Sequence, residues 1–146
     1  MWVQGLLPEF ALLVRELVAN PARTEKLARI TVGISDHRIL LTDDGLADLA
    51  CGCPALEDLI IHGAVKISDR GFQAVIDKCL SIRKIALCGM DYEPNNVCGS
   101  ALVNLMEHPS KAQNLKSIVL MNTAVHPLTL RSLRERRNEL RISSHH

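Results

Sequence analysis

Residues 56–72 read Leu56-Glu57-Asp58-Leu59-Ile60-Ile61-His62-Gly63-Ala64-Val65-Lys66-Ile67-Ser68-Asp69-Arg70-Gly71-Phe72, and the two halves of this stretch follow different periods. Leu56, Leu59 and Ile61 have the L-x-x-L-x-L spacing of a short strand with one buried face. Ser68-Asp69 then marks a helix start, because a short side-chain oxygen can accept a bond from an unpaired N–H of the first turn. Phe72, Val75, Ile76 and Cys79 follow at helical spacing.

The same frame begins at Leu27 (Leu27, Ile30, Val32), Leu56, Ile82 (Ile82, Ile85, Leu87) and Leu115 (Leu115, Ile118, Leu120), with starts 29, 26 and 33 residues apart. Its second half recurs as Leu41-Thr42-Asp43-Asp44-Gly45-Leu46 and, degraded, as Val97-Cys98-Gly99-Ser100-Ala101-Leu102. Helices are therefore predicted to begin near Asp43, Ser68 and Gly99, with Leu46, Leu49 and Ala50, then Phe72, Val75 and Ile76, then Leu102, Leu105 and Met106 turned to the core. A strand and a helix recurring at this period predict a leucine-rich repeat fold. The fold class expected is α/β, a short right-handed horseshoe with parallel strands on the concave face and helices on the convex face.

Leu17-Val18-Ala19-Asn20-Pro21 stands before Leu27 as Leu105-Met106-Glu107-His108-Pro109 stands before Leu115. Residues 8–20, with Phe10, Leu13, Val14, Leu17 and Val18 on one stripe, thus read as the helical half of a repeat without its strand. The expected organisation is a capping helix or partial repeat at 1–26, four full repeats over 27–142 and a disordered tail at 143–146. Residues 128–137 predict a last helix, and Leu140-Arg141-Ile142 is the candidate for a fifth, abbreviated strand.

Composition agrees with one domain. The chain has 146 residues, 47% of them hydrophobic, and a net charge of +1, enough for a continuous core and too balanced to imply a polyanionic partner. Only 3% is aromatic, which suits a core of Leu, Ile, Val and Ala. No apolar run reaches membrane-spanning length, and Pro8 and Glu9 interrupt the apolar N-terminus where a signal peptide would continue. The expectation is a soluble cytoplasmic or nuclear protein.

Cys53 and Cys79 each precede the next frame by three residues, equivalent helix-end positions that suit a small buried thiol. Cys51-Gly52-Cys53 lacks the spacing and the second pair of a structural zinc site. Histidines at 37, 62, 108, 126, 145 and 146 fall in no metal or nucleophile motif, and no glycine-rich phosphate loop is present. No enzyme activity, metal or cofactor is expected. His62 and Cys88 come together as neighbours by lane position alone, without an oxyanion donor or an implied pocket.

The leucine frame, the [Ile/Leu]-[Ser/Thr]-Asp-x-Gly-[Leu/Phe] element and the helix-end cysteine, followed once by Pro54, together resemble the cysteine-containing repeats of F-box/LRR proteins. The resemblance covers residues 27–142, and residues 56–79 match at almost every position. The residue after the strand departs from it: the family's Asn or Cys is replaced by Ser35, Ala64, Met90 and Thr123. Short insertions near 35–40 and 91–96 depart as well, and the last repeat drifts toward the ribonuclease-inhibitor style. In that family the repeats are the substrate receptor of a ubiquitin ligase, and an F-box ahead of them docks the ligase scaffold. Leu7-Pro8-Glu9 resembles an F-box opening, yet repeats beginning at Leu27 leave no room for the remainder, so Pro8 reads as a first-turn helix proline and no F-box is expected.

Strand alternation sends frame positions three, five and seven outward. These are Arg29, Thr31 and Gly33; Asp58, Ile60 and His62; Lys84, Ala86 and Cys88; Ser117, Val119 and Met121. Two partly apolar lanes result, Ile60-Ala86-Val119 and His62-Cys88-Met121, with Arg29, Asp58 and Lys84 as a charged rim. Contiguous exposed apolar area marks a protein contact, so a protein partner on this wall is the expected ligand. Two other coverings remain open, the insertion at 91–96 folding over the wall and a second copy of the chain. Arg131, Arg134, Arg136, Arg137 and Arg141 cluster near the end, but Glu135, Glu139 and the balanced total favour a solvated helical cap over nucleic-acid binding.

Overall fold

The computed structural model describes residues 2–5, 26–33 and 38–145. Six strands form one sheet in chain order: β1 (Trp2–Gly5), β2 (Arg29–Val32), β3 (Asp58–His62), β4 (Lys84–Cys88), β5 (Ser117–Met121) and β6 (Arg141–His145). Every neighbouring pair is parallel. Parallel neighbours need a long crossover, and between β2 and β6 four described helices supply it: α1 (Asp43–Gly52), α2 (Asp69–Lys78), α3 (Ser100–Glu107) and α4 (Pro127–Arg136).

The register follows the leucine frame. Arg29 pairs with Asp58, Asp58 with Lys84 and Lys84 with Ser117, so the third residue of all four frames stands in one row across the sheet. Ile30, Leu59, Ile85 and Ile118 form the next row; with Val32, Ile61, Leu87 and Leu120 they are buried in one cluster shared with the apolar stripes of all four helices. Each such aliphatic side chain contributes about 1.5–3 kcal/mol on burial. The helices therefore cover one face of the sheet only.

The helix starts fall where the sequence places them. Thr42 Oγ1 accepts from Gly45 N at 3.2 Å ahead of α1, and Ser68 Oγ accepts from Arg70 N at 3.4 Å ahead of α2. Gly99, in the left-handed region at φ +119°, precedes α3. Pro127 occupies the first turn of α4 behind a His126 cap, one residue earlier than expected.

The aspartates of these motifs do something the sequence did not disclose. Asp43 Oδ1 accepts from Ser68 N at 2.8 Å and Gly71 N at 3.0 Å, while its Oδ2 accepts from the Ser68 hydroxyl at 2.5 Å. Asp69 does the same one unit on, accepting from Cys98 N, Gly99 N and Ala101 N at 2.6 to 3.1 Å. Each carboxylate thus satisfies unpaired N–H groups at the start of the following helix, the end that also favours negative charge. Gly71 is required by this arrangement, since a Cβ there would fall on Asp43 Oδ1.

At the strand exits backbone hydrogen bonding joins neighbouring units. Ala64 N donates to Cys88 O at 2.9 Å, Gly89 N to Met121 O at 2.9 Å and Asn95 N to Asn122 O at 3.1 Å. A side chain at Ala64 or Met90 is not needed for it.

Three expectations are corrected. Trp2–Gly5 is a strand, paired residue for residue with Arg29–Val32, so the N-terminal unit does have its strand; a single Val-Gln-Gly stretch without a leucine frame concealed it. The tail expected at 143–146 instead continues β6 as far as His145, because Val119, Leu120 and Met121 offer it a free parallel edge. Arg137, expected on a solvated cap, is 5% exposed. The helix expected at 8–20 lies outside the described residues, as do Ser35 and His37.

Cys53 and Cys79 cap the C-terminal ends of α1 and α2 with no exposure, and the Cys79 thiol reaches Ala50 O and Cys53 O at 3.8 Å. Burial disfavours the thiolate and pushes Cys53 up to about 11; Cys79 rises to about 12, by burial first and then by the neighbouring Cys53 and Cys51. Unfolded thiols ionise near 9.0, so the stabilising contribution of the protonated, buried form is complete below that pH and is lost as pH rises toward the folded values. Denaturant midpoints are expected to fall steadily above pH 9, and Cys79→Ala to make that decline shallower. Parallel alkaline profiles for the two proteins would refute this account.

Candidate protein-binding face

The face of the sheet opposite the helices presents the outward frame positions in register. One row runs Thr31, Ile60, Ala86, Val119 and Ser143, and a second runs His62, Cys88 and Met121. Parallel strands lie about 4.8 Å apart, so side chains in a row touch their neighbours. Ile60, Val119 and His62 are half-buried and Met121 is 37% exposed. Ala86 and Cys88 stand on the same face yet are only 4% and 7% exposed. Their short side chains lie between longer ones in the same rows, Ile60 and Val119 for Ala86, His62 and Met121 for Cys88. They form the floor of the surface rather than its contact points.

The charged row flanks the apolar one. Arg29 Nε lies 3.4 Å from Asp58 Oδ2, both partly exposed, and Lys84 follows on β4. Exposed pairs of this type contribute about 0–1 kcal/mol to stability, so the row matters for partner choice more than for the fold.

At the strand C-termini the second row opens into a hollow of about 120 Å³ lined by His62, Gly63, Cys88, Gly89, Met90, Asp91, Met121 and Asn122. Asn122 Nδ2 donates to Asp91 Oδ1 at 2.8 Å and closes one side of it. The insertion at 91–96 is held at this rim: Asn96 N donates to Ile67 O at 3.0 Å, Asn95 N to Asn122 O, and Glu93 pairs with Arg38 at 3.4 Å. Its backbone bonds thus anchor it to neighbouring crossovers rather than to the Ile60-Ala86-Val119 row. Asp91 and Asn122 were not among the residues the sequence singled out; the insertion itself was the only signal for them.

Burial also pushes the Cys88 thiol above its ordinary value, the opposite of what a nucleophilic cysteine needs. Among the described residues no group of three or more His, Cys, Asp or Glu stands close enough to hold a metal ion, and no helix is long and apolar enough to cross a membrane.

The arginine cluster divides. Arg131 pairs with Glu135 along α4 at 3.1 Å, and Arg134 donates to Ile142 O at 3.0 Å. Arg137 points inward, donating to Lys111 O at 3.0 Å, Ala112 O at 3.1 Å and Glu139 Oε1 at 2.8 Å. Its guanidinium bonds carbonyls of the preceding unit much as the Cys79 thiol does at the equivalent place. No protein-family model and no curated protein matches this chain.

Proposed function

We propose that the chain is a leucine-rich repeat solenoid acting as a protein-interaction module, with the open face of its sheet as the contact surface. The observation that carries this reading is the in-register apolar row Ile60-Ala86-Val119, bordered by Arg29, Asp58 and Lys84 and covered by no element among the described residues. Apolar centres with a polar or charged border are the usual anatomy of such contacts. The frame-following register and the single helical face support the solenoid. The resemblance to F-box/LRR repeats supports a substrate-receptor or adaptor role linked to a ubiquitin ligase; assembly into a larger complex without a ligase is the alternative, favoured by the same surface.

Ile60→Asp together with Val119→Asp is expected to abolish capture of the partner in affinity mass spectrometry while the circular dichroism spectrum and thermal midpoint stay near those of the parent. Both side chains are partly exposed on the open face, so a carboxylate there reaches water rather than the core. An unchanged set of captured proteins from the double variant would remove this face as the contact surface. Co-purification of a ligase scaffold separates the adaptor reading from the assembly reading.

A further inference from the structure

The hollow at the end of the second row gathers an uncommon set of side chains. His62, Cys88 and Met121 stand on three adjacent strands at one register, His62 paired with Cys88 and Cys88 with Met121, and all three line the same cavity. Neither the His62 imidazole nor the Cys88 thiol has a hydrogen-bond partner among the described residues. Asp91, which lines the same hollow, is engaged by Asn122. Residues that carry one nitrogen and two sulfur donors thus line one small open space. The floor is nearly dry, since Cys88 is 7% exposed, and Met121, at 37%, stands at the mouth.

We propose that this hollow is a binding site for a soft monovalent metal ion, Cu(I) in the first place, held by the Cys88 thiolate, the Met121 thioether and the His62 imidazole. The donor chemistry selects the ion. Zinc and harder divalent ions need further nitrogen, thiolate or carboxylate ligands; Asp91 on the rim is bonded to Asn122, and among the described residues no group of three His, Cys, Asp or Glu is placed to hold a metal ion. A thioether serves as the third donor only for a soft ion, and thiolate with thioether is the combination that favours Cu(I). Binding replaces the thiol proton: Cys88 Sγ–H and Cu(I) give Cys88 Sγ–Cu(I) and a proton released to solvent, with no change in oxidation state. The loaded site is neutral on balance, one thiolate against one monovalent cation, which suits a poorly solvated floor. The proposal stands apart from the protein-binding reading, because metal uptake is measured on the chain alone.

The test uses the full chain with Cys51→Ser and Cys98→Ser, which removes the two exposed thiols, neither of which lines the hollow. Cu(I) is supplied anaerobically and affinity is read by competition with a chromogenic Cu(I) chelator. One Cu(I) per chain is expected. In this background Cys88→Ser is expected to abolish binding. Even an outer-sphere partner of a metal site is worth about 10- to 100-fold in affinity, so Met121→Leu and His62→Gln, which remove a direct donor, are each expected to weaken binding by no less. Met121→Leu preserves volume and apolarity, so its circular dichroism spectrum is expected to match the parent's. Zn(II) is expected to compete weakly. Retention of Cu(I) by the Cys88→Ser protein, or equal affinities for Met121→Leu and its parent, would overturn the site; so would tighter binding of Zn(II) than Cu(I).

Discussion

Asp43→Ala is expected to lower the unfolding free energy by about 3 kcal/mol, an unusually large loss for a position only one residue into a helix. The carboxylate receives Ser68 N, Gly71 N and the Ser68 hydroxyl, and its side chain is 11% exposed. Hydrogen bonds to a charged acceptor are each worth about 1.5–3 kcal/mol, and a donor left buried without a partner costs more than a bond never made. The three bonds share one carboxylate, so their sum is not additive. Neighbouring Asp44 supplies the control: its side chain is 80% exposed, it pairs with Arg70 at 2.9 Å, and Asp44→Ala is expected to cost under about 1 kcal/mol. Asp43→Asn, which keeps one acceptor oxygen but no charge, is expected to fall between. Equilibrium urea unfolding measures all three, and amide exchange at Ser68 and Gly71 localises the effect. If Asp43→Ala proves no worse than Asp44→Ala, the carboxylate does not join these units in the way the hydrogen bonds imply.

Arg137→Ala is expected to cost a similar amount, about 3 kcal/mol, for a different reason. Its guanidinium is the donor to two carbonyls, Lys111 O and Ala112 O, in the last described interface between units. Truncation leaves both oxygens short of a partner, and it removes the aliphatic stem from a site where the residue is 5% exposed. Arg137→Lys is expected to recover little, because an ammonium cannot reproduce the planar fork that bonds two carbonyls and Glu139 together. A second readout follows from Glu139, whose carboxyl is held below its ordinary 4.5 mainly by the hydrogen bond from Arg137. A lowered carboxyl contributes stability above its unfolded value and loses it as pH falls through the folded value. The parent should therefore lose this small contribution on acidification, and Arg137→Ala should not. Glu139 titrating alike in both proteins by NMR would refute the pairing.

The strands and helices were legible because both depend on local periodicity. Leu59 and Ile61, or Phe72, Val75 and Ile76, repeat at spacings that only one kind of backbone can turn to a common core, and the frame then fixed the register of Arg29, Asp58, Lys84 and Ser117. Residues whose role is set by a different part of the chain were not legible. Asp43 looks from its neighbours like part of its own helix start; its partners stand 25 and 28 residues away. Arg137 sits in a run of arginines that differ only in what the preceding unit places beside them. The Trp2–Gly5 strand lacks the leucines that announce the others, and pairing with β2 alone defines it. On the open face, the alternation of side chains located His62, Cys88 and Met121, but the hollow they share depends on Asp91 and Asn122 from two separate loops.

Among the described elements, substantial contacts join only those that are close along the chain: each strand with the next strand, each helix with the next helix, and α4 with β6. Among the described residues no long-distance clasp draws the two extremities together, so cohesion is passed hand to hand from one layer to the next. Such an object has no single keystone. Loss of cohesion at either described edge of the sheet therefore reaches the hollow and the apolar row, on strands β3 to β5, only after the layers that flank them have given way.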